Sequence, residues 1–130
     1  LKASKAKDLK RLFQSDRVST KVLSVATHQL ATLVGAAIPL VEALQALSDQ
    51  TDSVALKSII TNVRESVEGG SSFAKALSNY PKAFPRLYIN MVASGEASGT
   101  LDTVLDNLAN YLEAQLELRR KVSSALTYPT

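Results

Sequence analysis

The stretch Leu101-Asp102-Thr103-Val104-Leu105-Asp106-Asn107-Leu108-Ala109-Asn110-Tyr111-Leu112, carried on through Leu116, Val122 and Leu126, decides the fold. Its apolar residues Leu101, Val104, Leu105, Leu108 and Leu112 recur at three- and four-residue spacing. At 100° per residue this spacing puts them on one face of a long helix. Asp102 and Asp106 lie in its early turns and Arg119, Arg120 and Lys121 in its late ones, the order that the helix dipole favours. Arg119 interrupts the middle of the apolar stripe, so the helix is expected to outgrow its core at about residue 118. A face this apolar needs other elements to cover it.

Upstream, the same period recurs in shorter pieces. Ser19 or Thr20 can cap a first helix to about Ala36, in which Ser24, Thr27, His28 and Thr32 form a polar side. Val22, Leu23, Ala26, Leu30, Leu33 and Val34 lie opposite. Pro39 suits the first turn of a second helix to about Ser48, because the N–H that it lacks would go unsatisfied there. Leu56, Ile59, Ile60, Val63 and Val67 mark a third helix, stopped by Gly69-Gly70. Ser71 or Ser72 caps a fourth, short helix with Phe73, Ala74 and Leu77, which the Asn79-Tyr80-Pro81 breaker ends. Pro85 opens a fifth, with Leu87, Ile89 to Met91 and Val92, ending between Gly95 and Gly99. Thr100 caps the sixth. Connections this short predict a compact, all-α, six-helix antiparallel bundle over residues 17–130, with residues 1–16 a basic linker or weak helix. Its core should come from helices one, three, five and six, including Leu30, Leu33, Ile60, Val63, Leu105, Leu108 and Leu112.

Composition agrees with this reading and narrows the function. Aromatic residues are only 5% of 130 residues and cysteine is absent, which favours helices over sheets and leaves no disulfide or thiolate site. The net charge of +3 is uneven. Lys2, Lys5, Lys7, Lys10, Arg11, Arg17 and Lys21 face only Asp8 and Asp16. This basic head could attract lipid or nucleic-acid phosphates, or could be a solvated tail. Val22 to Val41 carries no formal charge and is long enough to span a bilayer, but its polar side and Pro39 assign it to a protein core. The ending Tyr128-Pro129-Thr130 reads as a boundary inside a longer chain.

Few groups could carry chemistry. With one His and no Cys, the common metal clusters are excluded, and no phosphate-binding loop sequence occurs. His28 has no acid four residues away and reads as a surface residue. The only cluster to weigh is Ser94-Gly95-Glu96-Ala97-Ser98-Gly99-Thr100-Leu101-Asp102. Glu96 and Asp102 flank a glycine-bracketed turn and, with oxygens from a second chain, could hold calcium. Alternatively both carboxylates stabilise the N-terminus of the sixth helix. Without a convergent acid, base and nucleophile, no enzyme is expected. A symmetric homodimer is the expected self-association. A basic helical module that binds nucleic acid is the alternative reading.

Several pieces, in this order and spacing, resemble one family, the F-type platform proteins of type II secretion and type IV pilus machines. They are Gln29-Leu30-Ala31-Thr32-Leu33, Ile38-Pro39-Leu40-Val41-Glu42-Ala43-Leu44, Glu68-Gly69-Gly70 with Phe73 and Ala76-Leu77, and Tyr80-Pro81 through Phe84-Pro85. Met91-Val92-Ala93-Ser94-Gly95-Glu96-Ala97-Ser98-Gly99-Thr100-Leu101 and Ala125-Leu126-Thr127-Tyr128-Pro129 complete the set. The resemblance implies a non-enzymatic scaffold domain on the cytoplasmic side of the inner membrane, followed by a membrane helix and a second tandem copy. It also implies contacts with the assembly ATPase and other inner-membrane subunits. Arg119, Arg120 and Lys121 would then lie next to the membrane, leaving Gly95, Glu96, Ser98 and Gly99 at the far end to meet a partner. One departure stands out: the family places Gly directly before the Ile-Pro or Leu-Pro, where this chain has Ala37, with Gly35 two residues earlier. The break between the first two helices is expected to shift.

Overall fold

The computed structural model describes residues 17–127, with side chains described as far as residue 122. Among these residues six helices follow one another and no strand occurs: α1 (Thr20–Gly35), α2 (Leu40–Gln50), α3 (Val54–Glu68), α4 (Phe73–Leu77), α5 (Arg86–Ser98) and α6 (Leu101–Thr127). The expectations for residues 1–16, for the Leu126 end of the stripe and for Tyr128-Pro129 lie outside the described residues. No described helix is long and apolar enough to cross a membrane.

Side-chain caps start the helices where the sequence suggests. The hydroxyls of Ser19, Ser53 and Ser72 accept from the N–H groups of Val22, Leu56 and Lys75 at 3.2, 3.1 and 3.1 Å. Each bond satisfies a donor that the first turn cannot pair internally. Pro39 and Pro85 sit one residue before their helices, at the N-cap with extended ψ of 144° and 156°, rather than inside the first turn.

α6 lies antiparallel along α1. Arg119 donates to the Thr20 hydroxyl at 3.2 Å near one end, and Val34 and Leu101 border the same surface depression at the other. α2 and α3 pack as a pair, α5 packs on α6, and α4 lies against α5 and α3. Leu105, Leu108 and Leu112 are almost wholly buried, as are Leu30, Ile60 and Val63, whereas Leu33 is only half-buried. The short helices contribute as much as the long ones: Leu44 and Leu47 of α2, and Phe73 and Leu77 of α4, have no more than 1% of their surface exposed. The expectation of a core drawn from four helices is corrected to one drawn from all six. In a 130-residue domain the wide faces of the long helices need the short ones to close over them.

The polar side expected of α1 is also corrected, because Ser24 and Thr27 are buried while Val25 is exposed. α1 is covered by α6, by α2 and by Tyr88 of α5, and its hydroxyls find partners inside. Thr27 donates to the Leu23 carbonyl at 2.7 Å and accepts from the Tyr88 phenol at 2.8 Å. Burial pushes the Tyr88 phenol up to about 12, so Tyr88 stays neutral through the physiological range. A similar relay joins α2 to α3: Thr61 donates to the Lys57 carbonyl at 2.8 Å and lies 3.2 Å from the Ser48 hydroxyl. One buried and one half-buried hydroxyl pair thus fix helix register in a core that is otherwise non-directional.

The break after α1 does not shift. Ala37 itself adopts the left-handed conformation, at φ 65°. The Ala37 N–H bonds to the Val34 carbonyl at 3.0 Å, and the Ile38 N–H to the Leu33 carbonyl at 3.1 Å. This is the paired closure of a Schellman turn. An L-residue pays about 1–2 kcal/mol in that conformation, while Gly35 occupies the last turn of the helix with open space where a Cβ would be. Ala37→Gly should therefore raise the unfolding free energy by about 0.5–1 kcal/mol, and Gly35→Ala by a similar amount. Urea melts of the two variants and the pair check this; a loss of stability in Ala37→Gly would show that the turn is not strained.

Candidate functional site

The Gly95 to Asp102 segment joins α5 to α6, and the structure gives its residues separate tasks. Gly95 is buried in the penultimate turn of α5. A Cβ there would meet Val104 Cγ2 at 2.9 Å, Val104 Cβ at 3.1 Å and the Leu101 Cα at 3.2 Å. The missing side chain is what lets α5 and α6 touch. Gly99 then takes φ 74°, and the Thr100 N–H returns to the Gly95 carbonyl at 2.9 Å, so the chain reverses in two residues.

Glu96, one residue beyond the contact, reaches away from α6. Its Oε2 accepts from the Phe73 N–H at 2.8 Å and its Oε1 from the Ala74 N–H at 2.9 Å. These are the first two amides of α4, a helix of five residues that can satisfy few of its own donors. Charge-assisted bonds from both carboxylate oxygens, placed at the positive end of that helix, anchor it to α5. Ser72 completes the cap through the Lys75 N–H. The expectation that Glu96 serves the N-terminus of the sixth helix is therefore corrected: it caps the fourth. Asp102 does lie in the first turn of α6. Thr100 contributes its backbone carbonyl to that turn at 3.0 Å from the Val104 N–H. Its hydroxyl lies 2.7 Å from Ser98, which donates to the Ser94 carbonyl at 2.9 Å.

Glu96 and Asp102 border one surface depression with Val34, Gly95, Gly99 and Leu101. No group of three or more His, Cys, Asp or Glu occurs among the described residues. A calcium shell of six to eight oxygens is not assembled from one chain's carboxylates here. Of the four residues expected to meet a partner, Gly95 is buried and Glu96 is engaged with α4, so only Ser98 and Gly99 offer open surface. Arg119, Arg120 and Lys121 are all exposed. His28 lies 3.3 Å from Glu113 across α1 and α6, both side chains in solvent, a pair of little energetic weight.

Sequence reasoning missed the Glu96 to α4 anchor. The available signals were the extreme shortness of α4 and the lack of a basic residue four positions from Glu96 on either side. The anchor predicts a specific order of stabilities. Glu96→Gln, which can present only one oxygen and turns an amide donor toward the second N–H, should cost about 1–3 kcal/mol. Gly95→Ala, which forces α5 and α6 apart, should cost a similar about 1–3 kcal/mol. Asp102→Asn should lose less than about 1 kcal/mol, as an exposed first-turn carboxylate does. Denaturant melts rank the three; equal losses for Glu96→Gln and Asp102→Asn would remove the special role of Glu96.

The profile of the family described as type II secretion system (T2SS), protein F matches residues 26–130. The type IV pilus assembly protein PilC of Thermus thermophilus is 50% identical over 109 residues, covering 84% of this chain and 27% of that protein. The type II secretion system protein F of Pseudomonas aeruginosa is 44% identical over 119 residues, 92% of this chain and 29% of that protein. That of Aeromonas hydrophila is 43% identical over 111 residues, 85% and 29% respectively. The chain thus spans about three tenths of the length of these relatives.

Proposed function

Because the chain belongs to the type II secretion system protein F family, we propose that it is a non-enzymatic scaffold domain of an inner-membrane platform protein in a type II secretion or type IV pilus machine. The observation that carries the reading is how the Gly95 to Gly99 segment is used. Its glycines serve a helix contact and a reversal, and its carboxylate is spent on the α4 backbone. A segment used this way is architecture, as a platform requires. The relatives' names, pilus assembly and type II secretion, give no support to the nucleic-acid alternative.

In this reading the start of α1 and the late turns of α6, joined by the Arg119 to Thr20 bond, form the membrane-facing end on the cytoplasmic side. Arg119, Arg120 and Lys121 face anionic headgroups there, each near-surface charge adding about 1 kcal/mol and fading within a Debye length. Ser98 and Gly99, at the opposite end of the bundle, are left for the assembly ATPase or another inner-membrane subunit. The test replaces Arg119, Arg120 and Lys121 together by Gln. Flotation of the chain with anionic vesicles at low salt should fall, and export or pilus assembly by the full-length protein should drop with it. Equal flotation on neutral and anionic vesicles would overturn the lipid contact, and unimpaired export by a full-length protein lacking the domain would overturn the scaffold reading.

Self-association is the second part of the proposal, and one surface suits it. Val25, with Lys21, Gln29, Gln50 and Asp52, lines a groove between α1 and the α2 to α3 turn. A patch carrying both a cation and an anion can face a copy of itself about a two-fold axis. Calcium enters through Glu96 and Asp102, whose two carboxylates need oxygens from a second copy. Sedimentation at tens of micromolar should show a dimer that Val25→Asp dissociates; association that calcium promotes and Asp102→Asn abolishes would be a separate contact at the other end of the bundle. A monomer throughout defeats the dimer, and sedimentation unchanged by calcium leaves the two carboxylates with their structural roles alone.

A further inference from the structure

A second apolar stripe runs along α6, turned away from the core. Tyr111, Gln115, Leu118 and Val122 recur at i, i+4, i+7 and i+11, the spacing by which one helix offers a seam to another. Tyr111, Leu118 and Val122 are 42, 64 and 52% exposed. At the inner end of the stripe, Pro85 and Leu87 of α5 face Tyr111 and Gln115 across a groove floored by Tyr88, Leu108 and Leu112. Leu87 is itself 46% exposed. The Gln115 amide donates to the Tyr111 phenol oxygen at 2.7 Å, which leaves the phenol proton and the amide carbonyl for an incoming group.

The charges beside this seam have one sign. Arg86 adjoins Leu87 in sequence, and Arg119 and Lys121 lie on either side of the Leu118 to Val122 segment at 100° per residue. Neither Arg86 nor Lys121 makes an ion pair among the described residues. No carboxylate lines the groove; along α6 Glu113 projects from the opposite side of the helix, while Glu117 lies one turn before Lys121, outside the groove.

We propose that this seam is the docking groove for an acidic amphipathic helix of a partner protein. Apolar side chains of the partner, spaced at i, i+3 or i+4 and i+7, would fill the groove between Leu87 and Tyr111 and lie on Leu118 and Val122. Asp or Glu residues on its flanks would face Arg86, Arg119 and Lys121. Tyr111 and the arginines supply the residue types that carry binding energy at interfaces. The same charges argue against two nearer occupants. A second copy packed seam to seam in parallel would set Arg119 and Lys121 against their own counterparts, and packed antiparallel would leave Arg86 without an acid to face. Residues 1–16, with five basic and two acidic side chains, would add cations to cations. The groove centre, near Tyr111, lies about 12 Å along α6 from Arg119; the far end of the seam shares Arg119 and Lys121 with the lipid contact proposed above, so Arg86 and Tyr111 are the positions that report docking alone.

The test is photo-crosslinking in the full-length protein in its own cells. A benzophenone amino acid replaces Tyr111 or Leu118, with Val25 as the control position on another face. The adducts are identified by mass spectrometry of the joined peptides. The expected result is one partner segment of helical apolar period with flanking Asp or Glu, captured at Tyr111 and Leu118 and not at Val25. Arg86→Glu, which leaves the lipid-facing cations in place, should cut the yield at Tyr111 at least tenfold, and changing the partner's flanking acids to Lys should restore it. Adducts from Tyr111 or Leu118 to a second copy, to residues 1–16 or to lipid would overturn the proposal, as would no adduct or a yield indifferent to the charge reversal; adducts from Val25 to a second copy report the separate dimer contact. Thermal melts of the charge-reversed domain, expected to match the parent, separate lost docking from lost folding.

Discussion

The two hydrogen bonds from Glu96 to the Phe73 and Ala74 amides are the constraint around which the bundle closes. A five-residue helix has no stability of its own in water, since nucleation costs more than so few bonds return. Yet α4 carries Phe73 and Leu77, both inaccessible to solvent to within 1%. Those side chains stay in the core only while the helix holds its direction, and a carboxylate gripping its first two amides holds it. The grip works because Gly95, the preceding residue, sets α5 directly against Leu101 and Val104. Three helices therefore meet through two consecutive residues, one acting by having no side chain and the other by where its side chain ends.

This arrangement accounts for the dense run of Gly, Glu and Ser between Ser94 and Asp102. Gly95, Glu96 and Gly99 cannot be exchanged freely, because each answers a different geometric demand: close approach, anchorage and a left-handed reversal. A run of constrained residues with a carboxylate at its centre can look like a site. Here the demand is met inside the chain, with both oxygens of Glu96 on backbone donors. Of this segment only Ser98 and Gly99 remain open at the surface, and the exposed apolar residues lie elsewhere, on faces that the core does not take up.

The helices were legible in the sequence because their evidence is local. Period, Ser caps and Gly or Pro stops are read within a few residues, and α6 with its stripe through Leu105, Leu108 and Leu112 came through intact. What was not legible depends on contacts between distant segments. Thr27 and Ser24 look like a solvent face until Tyr88, 61 residues later, supplies a buried partner for Thr27. Glu96 looks like a cap for the helix that follows it until α4, more than 20 residues earlier, turns its open end toward it. Ala37 shows the converse: the resemblance marked it as the unusual residue, but only the backbone shows that it keeps glycine's conformation rather than moving the turn.

α6 is also the longest stiff body in the molecule. Its 27 residues make a rod about 40 Å long. One end is clamped by Gly95 against Leu101 and Val104, and the middle is gripped by α1 as far as the Arg119 to Thr20 bond. Beyond that bond roughly eight residues continue, about 12 Å of cantilever. A force applied there, sideways or in rotation about the rod, has no loop to absorb it before the clamp. It arrives at a contact with no slack, where a Cβ would already collide with Val104, and passes through Glu96 to α4. A displacement of the far end of the rod would therefore meet its first rigid stop at the Gly95 contact.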